Sequence, residues 1–368
     1  MAAYTTIDDP SLYFQIATWT GTGSSNSITL PGDTNMQPDM SWIKSRNSTS
    51  SHCINDSVRG VSSGNTIHSN NNGAEDTSNT DAVDSFDSDG VTLGADSGNL
   101  GVNYSSSQNY VGWFWKAGGG SGSSNEAGSI NTTSTSVNTT SGFSISTYSG
   151  NDTAGATIGH GLGAVPHLIL IKCRDASQSW VVYHHKNTSA PETDYLILDT
   201  TAATVDNSNR WNDTAPSSTL ITLGDENQSN GNQTYVAYAW TAKQGFSKFG
   251  SYVGNGNADG PFVYTGFAPA YVLRKSVDTG SYSWLIQDWE RFDRRNTGET
   301  DRNLGADSNI AEPSTAVAFQ GNPVDFLSNG FKIKASDGTG NKSGDTYIYA
   351  AFAEAPFVNS NGVPCNAR

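Results

Sequence analysis

The sequence predicts an all-β protein made of three tandem β-sandwich domains of concanavalin-like or jelly-roll type. Three observations carry that expectation. A set of short motifs occurs three times, at separations of more than about 100 residues. The apolar segments are short, β-branched or aromatic, and bounded by Gly, Asn, Asp or Pro. No stretch sustains the apolar spacing i, i+3, i+4, i+7 of an amphipathic helix. A period this long is that of a domain, since solenoid and propeller units run about 20 to 50 residues.

The elements recur in one order. Each copy begins with a strand in which an aromatic residue stands two positions before a glycine: Trp19 and Gly21, Tyr148 and Gly150, Tyr252 and Gly254. Ile16, Ile145 and Phe249 lie three residues before that aromatic residue. Next comes a proline followed six residues later by a lysine, in PDMSWIK ending at Lys44, PHLILIK at Lys172 and PAYVLRK at Lys275. His52, Trp180 and Trp284 occupy matching places after the lysine, and their repetition favours packing over ligand contact. Asp89-Gly90 and Asn329-Gly330 open hairpin-like segments, where glycine tolerates a positive φ. Each copy closes on a hydrophobic strand, YVGWFW, YVAYAW or YIYAAF. Alternation there places Val111, Trp113 and Trp115 on one face, matched by Val236, Tyr238 and Trp240 and by Ile348, Ala350 and Phe352, and this face is expected to point into a core.

The expected division is residues 1–117 for the first sandwich with an N-terminal arm, 118–141 for a flexible Gly/Ser/Thr-rich linker, 142–242 and 243–358 for the second and third sandwiches, and 359–368 for a tail. Only Ala242 to Gly245 separate the last two copies, so these are expected to sit almost rigidly together. Units of this size bury a core without cross-links. Cys53, Cys173 and Cys365 are odd in number and fall at unrelated places in the repeat, so they suggest neither a disulfide framework nor a zinc ribbon. Cys53 reads as a small buried hydrophobe, because Val181 and Leu285 hold its place in the other copies.

A formal net charge of -15 without clustered Lys and Arg argues against nucleic acid as a partner. No apolar run reaches the ~18 to 20 residues of a membrane span, and the segment MAAYTTIDDPSLYF has neither the basic nor the apolar part of a secretory signal. Synthesis in a cytoplasm and no membrane insertion are therefore expected.

Catalytic and metal-binding patterns are weak. Two carboxylates among Asp288, Glu290 and Asp293 could serve glycoside hydrolysis, in a pattern resembling the E-x-D-x-x-E signature of sandwich glucanases but ordered D-x-E-x-x-D. The matching positions in the other copies read Asp56-Ser57-Val58-Arg59 and His184-His185-Lys186-Asn187, so only Asp288 has an acidic counterpart. A local tie of Asp56 with Arg59 and of Asp288 with Arg291 is the favoured reading. His184 and His185, as strand neighbours, are expected on opposite faces and not on one metal. Asp87 to Gly90 and Asn255 to Gly260 carry oxygen ligands suited to calcium but read better as turns. There is no nucleophile elbow and no phosphate loop, and the glycine run after Lys116 reads as a linker. No catalytic residue, metal or cofactor is assigned. Trp211 and Trp289, which are not repeated, are the two indoles placed as glycan-stacking or interface candidates.

The segments MAAYTTIDDPSLYFQ, QPDMSWIKSRN, HGLGAVPHLILIK, GFSKFGSYVGNGNADGPFVYTGF, DFLSNGFKIK and YIYAAFAEAPF, which span nearly the whole chain, resemble a family of repeat-containing virion proteins of marine bacteriophages, including those of cyanobacteria and pelagic bacteria. The resemblance implies a non-enzymatic, tail- or fibre-associated component of a particle, made in the host cytoplasm and located in the virion. It further implies other virion proteins as partners, homo-oligomerisation, and contact with a host surface glycan. Capsid decoration and tail-associated glycan binding or degradation are the alternatives. The first copy departs from the other two at His52 and in its glycine-rich exit, which fits one end attaching while another is displayed.

Overall fold

The computed structural model describes residues 4–61, 64–291, 302–312 and 323–365. The protein is all-β, with 39% of residues in strands and 2% in helix. The first repeat contributes β1 (Phe14–Thr20), β2 (Asn26–Thr29), β3 (Met40–Ser45), β4 (Cys53–Asp56), β5 (Val83–Asp87), β6 (Gly90–Leu93) and β7 (Asn109–Trp115). The second contributes β8 (Ser134–Asn138), β9 (Phe143–Ser149), β10 (Thr157–Gly159), β11 (Leu168–Cys173), β12 (Val181–His184), β13 (Asp194–Ile197), β14 (Val205–Asp206), β15 (Leu220–Thr222) and β16 (Thr234–Trp240). The third contributes β17 (Ser247–Val253), β18 (Phe262–Tyr264), β19 (Phe267–Ser276), β20 (Leu285–Asp288), β21 (Leu304–Gly305), β22 (Val324–Leu327), β23 (Gly330–Ile333) and β24 (Thr346–Pro356).

Each repeat pairs a large sheet with a small one. The large sheets run β1-β7-β3-β4, β14-β13-β12-β11-β16-β9-β8 and β17-β24-β19-β20-β21, and the small ones β2-β6-β5, β10-β15 and β18-β23-β22. In every large sheet the closing strand lies between the aromatic-x-Gly strand and the lysine strand, antiparallel to both. This register sets Trp19 opposite Tyr110, Tyr148 opposite Tyr235 and Tyr252 opposite Tyr347. The three pairs stack at 5.8, 5.1 and 5.0 Å between ring centroids. The glycine two residues on is required by close approach: a Cβ at Gly150 would stand 2.1 Å from the Gly231 carbonyl oxygen, and one at Gly254 would stand 2.2 Å from that of Lys342.

The two faces of each closing strand have different destinations. Tyr110 and Phe114, Tyr235 and Ala237, and Tyr347 and Tyr349 pack between the two sheets of their own repeat. The opposite face, Val111, Trp113 and Trp115 with its two counterparts, enters one core shared by all three repeats. There Trp115 meets Trp240 at 6.4 Å, Tyr271 at 5.8 Å and Phe352 at 5.6 Å. These faces were expected to fill separate sandwiches. Instead, three sheets turn these faces toward one another, and apolar surface that single sandwiches would leave exposed is covered within one chain.

The segment after Lys116 is not a free linker. The backbone N–H groups of Ala117 and Gly119 donate to one carboxylate oxygen of Asp39 and that of Gly120 to the other, at 2.8 to 3.0 Å. Gly119 and Gly120 hold φ of 82° and 80°, which lets successive N–H groups converge on the anion. Part of the segment assigned to the linker is β8, an edge strand of the second repeat's large sheet.

Candidate functional site

The charged residues singled out in the sequence gather where one repeat meets the next. At the contact between the first and second repeats, Arg59 Nε lies 2.5 Å from Asp56 Oδ2, and both side chains are fully buried. Tyr238 of the second repeat donates its hydroxyl to Asp56 Oδ2 at 2.6 Å. Glu75 bridges Arg59 and Arg174, the latter belonging to the second repeat. The contact between the third and first repeats has the same pattern. Arg291 Nε lies 2.6 Å from Asp288 Oδ2, Trp113 of the first repeat donates its indole N–H to that oxygen at 3.0 Å, and Glu312 bridges Arg291 and Arg46. The Asp–Arg ties thus form, buried and extended by a second acid–base pair across the contact.

At the remaining contact, between the second and third repeats, no charge pair is formed among the described residues. His184 stands in place of the aspartate, with its Nε2 3.1 Å from the Tyr349 carbonyl oxygen, and His185 Nε2 lies 2.9 Å from that of Phe249. Asn187 replaces the arginine and receives the Thr204 hydroxyl at 2.6 Å. Thr204 replaces the bridging glutamate, since its N–H donates to the Val277 carbonyl as those of Glu75 and Glu312 do to Arg174 and Arg46. His184 and His185 face the same neighbouring repeat, with ring centroids 5.4 Å apart, because His185 lies just past the strand end, where alternation no longer holds. This corrects the opposite-face expectation. His167 joins them, its ring centroid 4.4 Å from that of His185. Burial depresses all three, His167 to about 4 and His184 to about 3. Among the described residues no group of three or more His, Cys, Asp or Glu is arranged to hold a metal ion.

The other repeated residues reinforce the contacts. The Trp180 indole donates to the His68 carbonyl of the first repeat at 2.8 Å, and the Trp284 indole to the Ile197 carbonyl of the second at 2.9 Å. His52, their counterpart, accepts the Trp42 indole N–H at 2.9 Å and is fully buried. The three lysines are buried and donate to carbonyl oxygens, Lys172 reaching Asn72 of the first repeat and Lys275 reaching Thr201 of the second. Desolvation lowers Lys44 to about 7, and Lys172 and Lys275 to about 8.

The remaining candidates are placed as follows. Asp288 is buried in its ion pair at the end of β20, whereas Glu290 is exposed in the turn beyond, so they do not face a common substrate. Asp293 lies outside the described residues. Trp211 is 2% exposed, donates to the Asp194 carbonyl at 3.1 Å and packs edge-on to Tyr183, so it offers no ring face for stacking. Trp289 is half-buried, 6.2 Å from the Phe326 ring. The calcium-like run from Asn255 is an asparagine-centred turn: the Asn341 amide nitrogen donates to Asn255 Oδ1 and to the Asn257 carbonyl. Asn103 and Asn230 tie matching loops in the other repeats, and sequence reading missed all three. Asp87 accepts the hydroxyls of Ser85 and Thr92 at 2.7 Å, an ordinary turn. Cys53 is buried, as its sequence position suggests.

No curated protein matches the chain, and no solved structure does. A family model matches residues 9–356, an interval that takes in every strand from β1 to β24. The chain is thereby a member of the family described as a domain of unknown function, DUF7483.

Proposed function

We propose that this chain is a non-enzymatic structural component of a phage particle, tail- or fibre-associated, made in the host cytoplasm and displayed on the virion. One observation supports the non-enzymatic part most directly. The acidic residues repeated at matching positions, Asp56 and Asp288, are buried in ion pairs that also engage a ring of the next repeat, where they bind the molecule together and reach no solvent. A catalytic carboxylate needs access to substrate. The placement in a particle rests on the resemblance of the quoted segments to marine phage virion proteins. Partners are then other virion proteins and further copies of the chain.

The test is proteomic and structural. Purified particles from an infected marine bacterium encoding this chain contain it in stoichiometric amounts, and a particle reconstruction shows its density at the tail. Absence from washed particles overturns the proposal, and density on the head assigns it to capsid decoration. Unchanged host polysaccharide digestion by particles carrying Asp288→Asn and Glu290→Gln would remove a hydrolytic role, and loss of digestion at an unchanged melting temperature would establish one.

A further inference from the structure

The small sheet of the third repeat differs from its two counterparts on the side facing solvent. In β18, Phe262 and Tyr264 are 46% and 48% exposed, while Val263 between them is buried. The register runs Asp325, Lys332, Phe262 in one row across the sheet and Leu327, Gly330, Tyr264 in the next. Leu327, 39% exposed, therefore shares the face with both rings. The first repeat carries Ser27 and Thr29 at the positions of Phe262 and Tyr264, as the pairing of Ser27 with Thr92 and of Thr29 with Gly90 shows. The second carries Thr157 and Gly159. Neither ring is needed by the fold: Phe262 leans over Gly330, yet Gly90 sits at the matching place beside Ser27 with no ring above it.

Tyr264 is held in position. Lys248 Nζ donates to its carbonyl oxygen at 2.7 Å and lies 5.2 Å from its ring centroid, and its hydroxyl lies 3.4 Å from that of Tyr4. Beside Phe262, Lys332 Nζ pairs with Asp259 at 2.6 Å. Two aromatic rings about 7 Å apart on one strand, rimmed by a fixed ammonium and carboxylates, present stacking faces and both donors and acceptors. The exposed side chains offer on the order of 300 Å² in all, well under the ~800 Å² per partner of a stable protein interface. A face of that size suits a short stretch of sugar rings. The net charge of -15 makes acidic polymers poor ligands.

We infer that the outer face of β18, through Phe262 and Tyr264, binds a neutral pyranose glycan, the rings stacking on its C–H faces while Lys332, Asp259 and Asp325 meet its hydroxyls. This deepens the reading of the chain as a displayed particle component, yet it is measured on the isolated protein, so its failure and that of the virion placement are separate results.

The experiment is affinity electrophoresis of the full chain through gels cast with an α-glucan, a β-1,3-glucan, a β-1,4-mannan or a galactan. The comparison is with Phe262→Ser plus Tyr264→Thr, which restores the residues of the first repeat and is expected to fold. The wild-type chain is retarded by at least one polymer, the double variant loses that retardation tenfold or more at an unchanged melting temperature, and Trp289→Ala behaves as wild type. Absence of retardation in every gel, or equal retardation of the double variant, overturns the inference. If sedimentation shows that the double variant abolishes self-association while retardation is unchanged, the face is an interface between copies and the inference again fails.

Discussion

Arg59 and Arg291 are buried cations, and each is tolerable only because a carboxylate three residues earlier and a glutamate farther along the chain neutralise it. Truncating the near partner, by Asp56→Ala or Asp288→Ala, leaves an uncompensated guanidinium in the interior and should cost about 3–5 kcal/mol in urea denaturation. A catalytic role would instead predict loss of an activity without loss of stability. At Gly150, alanine must displace backbone, and Gly150→Ala should destabilise by about 1–3 kcal/mol in the same measurement. The aspartate–arginine pairs and the glycines were legible because they are local and recur at one spacing. The glutamates were not: Glu75 lies 16 residues from Arg59 but Glu312 lies 21 from Arg291, so loops of unequal length hide the match. The residues that cap the strands of His52, Trp180 and Trp284, namely Asn70, Asp199 and Asp307, stand 18, 19 and 23 residues away and escape for the same reason.

At the scale of elements, the contact between the second and third repeats gathers three of the buried histidines, and it adds to the acid sensitivity that His52 and His68 bring to the other two contacts. His167, His184 and His185 meet there, and the titratable or charged groups on the elements around them are Lys186 beside the pair, Lys243, Lys248 and Tyr252 on the segments leading into and through β17, and Tyr347, Tyr349 and Glu354 on β24. Lys186 and the neighbouring rings act in the same direction as burial. The folded-state pKa values of the three histidines lie below the unfolded value near 6.5, so the unfolded chain binds more protons in that window. Stability from this contact is complete above about pH 6.5 and is lost as pH falls toward 4. Melting temperature should therefore drop between pH 7 and pH 5, and His184→Asn with His185→Gln should reduce that drop, the remainder coming from His52, His68, His160 and His167. A second prediction concerns the glycine run. Asp39→Ala removes the acceptor of three N–H groups, and limited proteolysis should then cut within residues 118–122, where the unaltered chain resists. Composition alone made this run a linker, since a glycine run with no partner in view looks the same whether it is free or wrapped around an anion supplied from 80 residues upstream.

For the molecule as a whole, strands and their faces were readable, but their destination was not. Period-two alternation says that Trp113, Tyr238 and Ala350 point inward, and it is silent on whether the inside belongs to one repeat or to three. A segment comprising residues 142–242 alone would expose Phe143, Tyr238 and Trp240, so it should be molten, bind a hydrophobic dye and lack dispersed amide resonances, whereas the full chain should unfold as one cooperative unit. The unequal contacts carry a further consequence. A true homotrimer must accept every substitution three times over, so any adhesive surface it acquires comes with a valency of three. Here the copies are joined in series, each was free to diverge, and the aromatic strand surface arose in one of them only. A lone polypeptide therefore grips with a single hand, and any avidity toward a crowded target has to come from how many such polypeptides are gathered on one carrier.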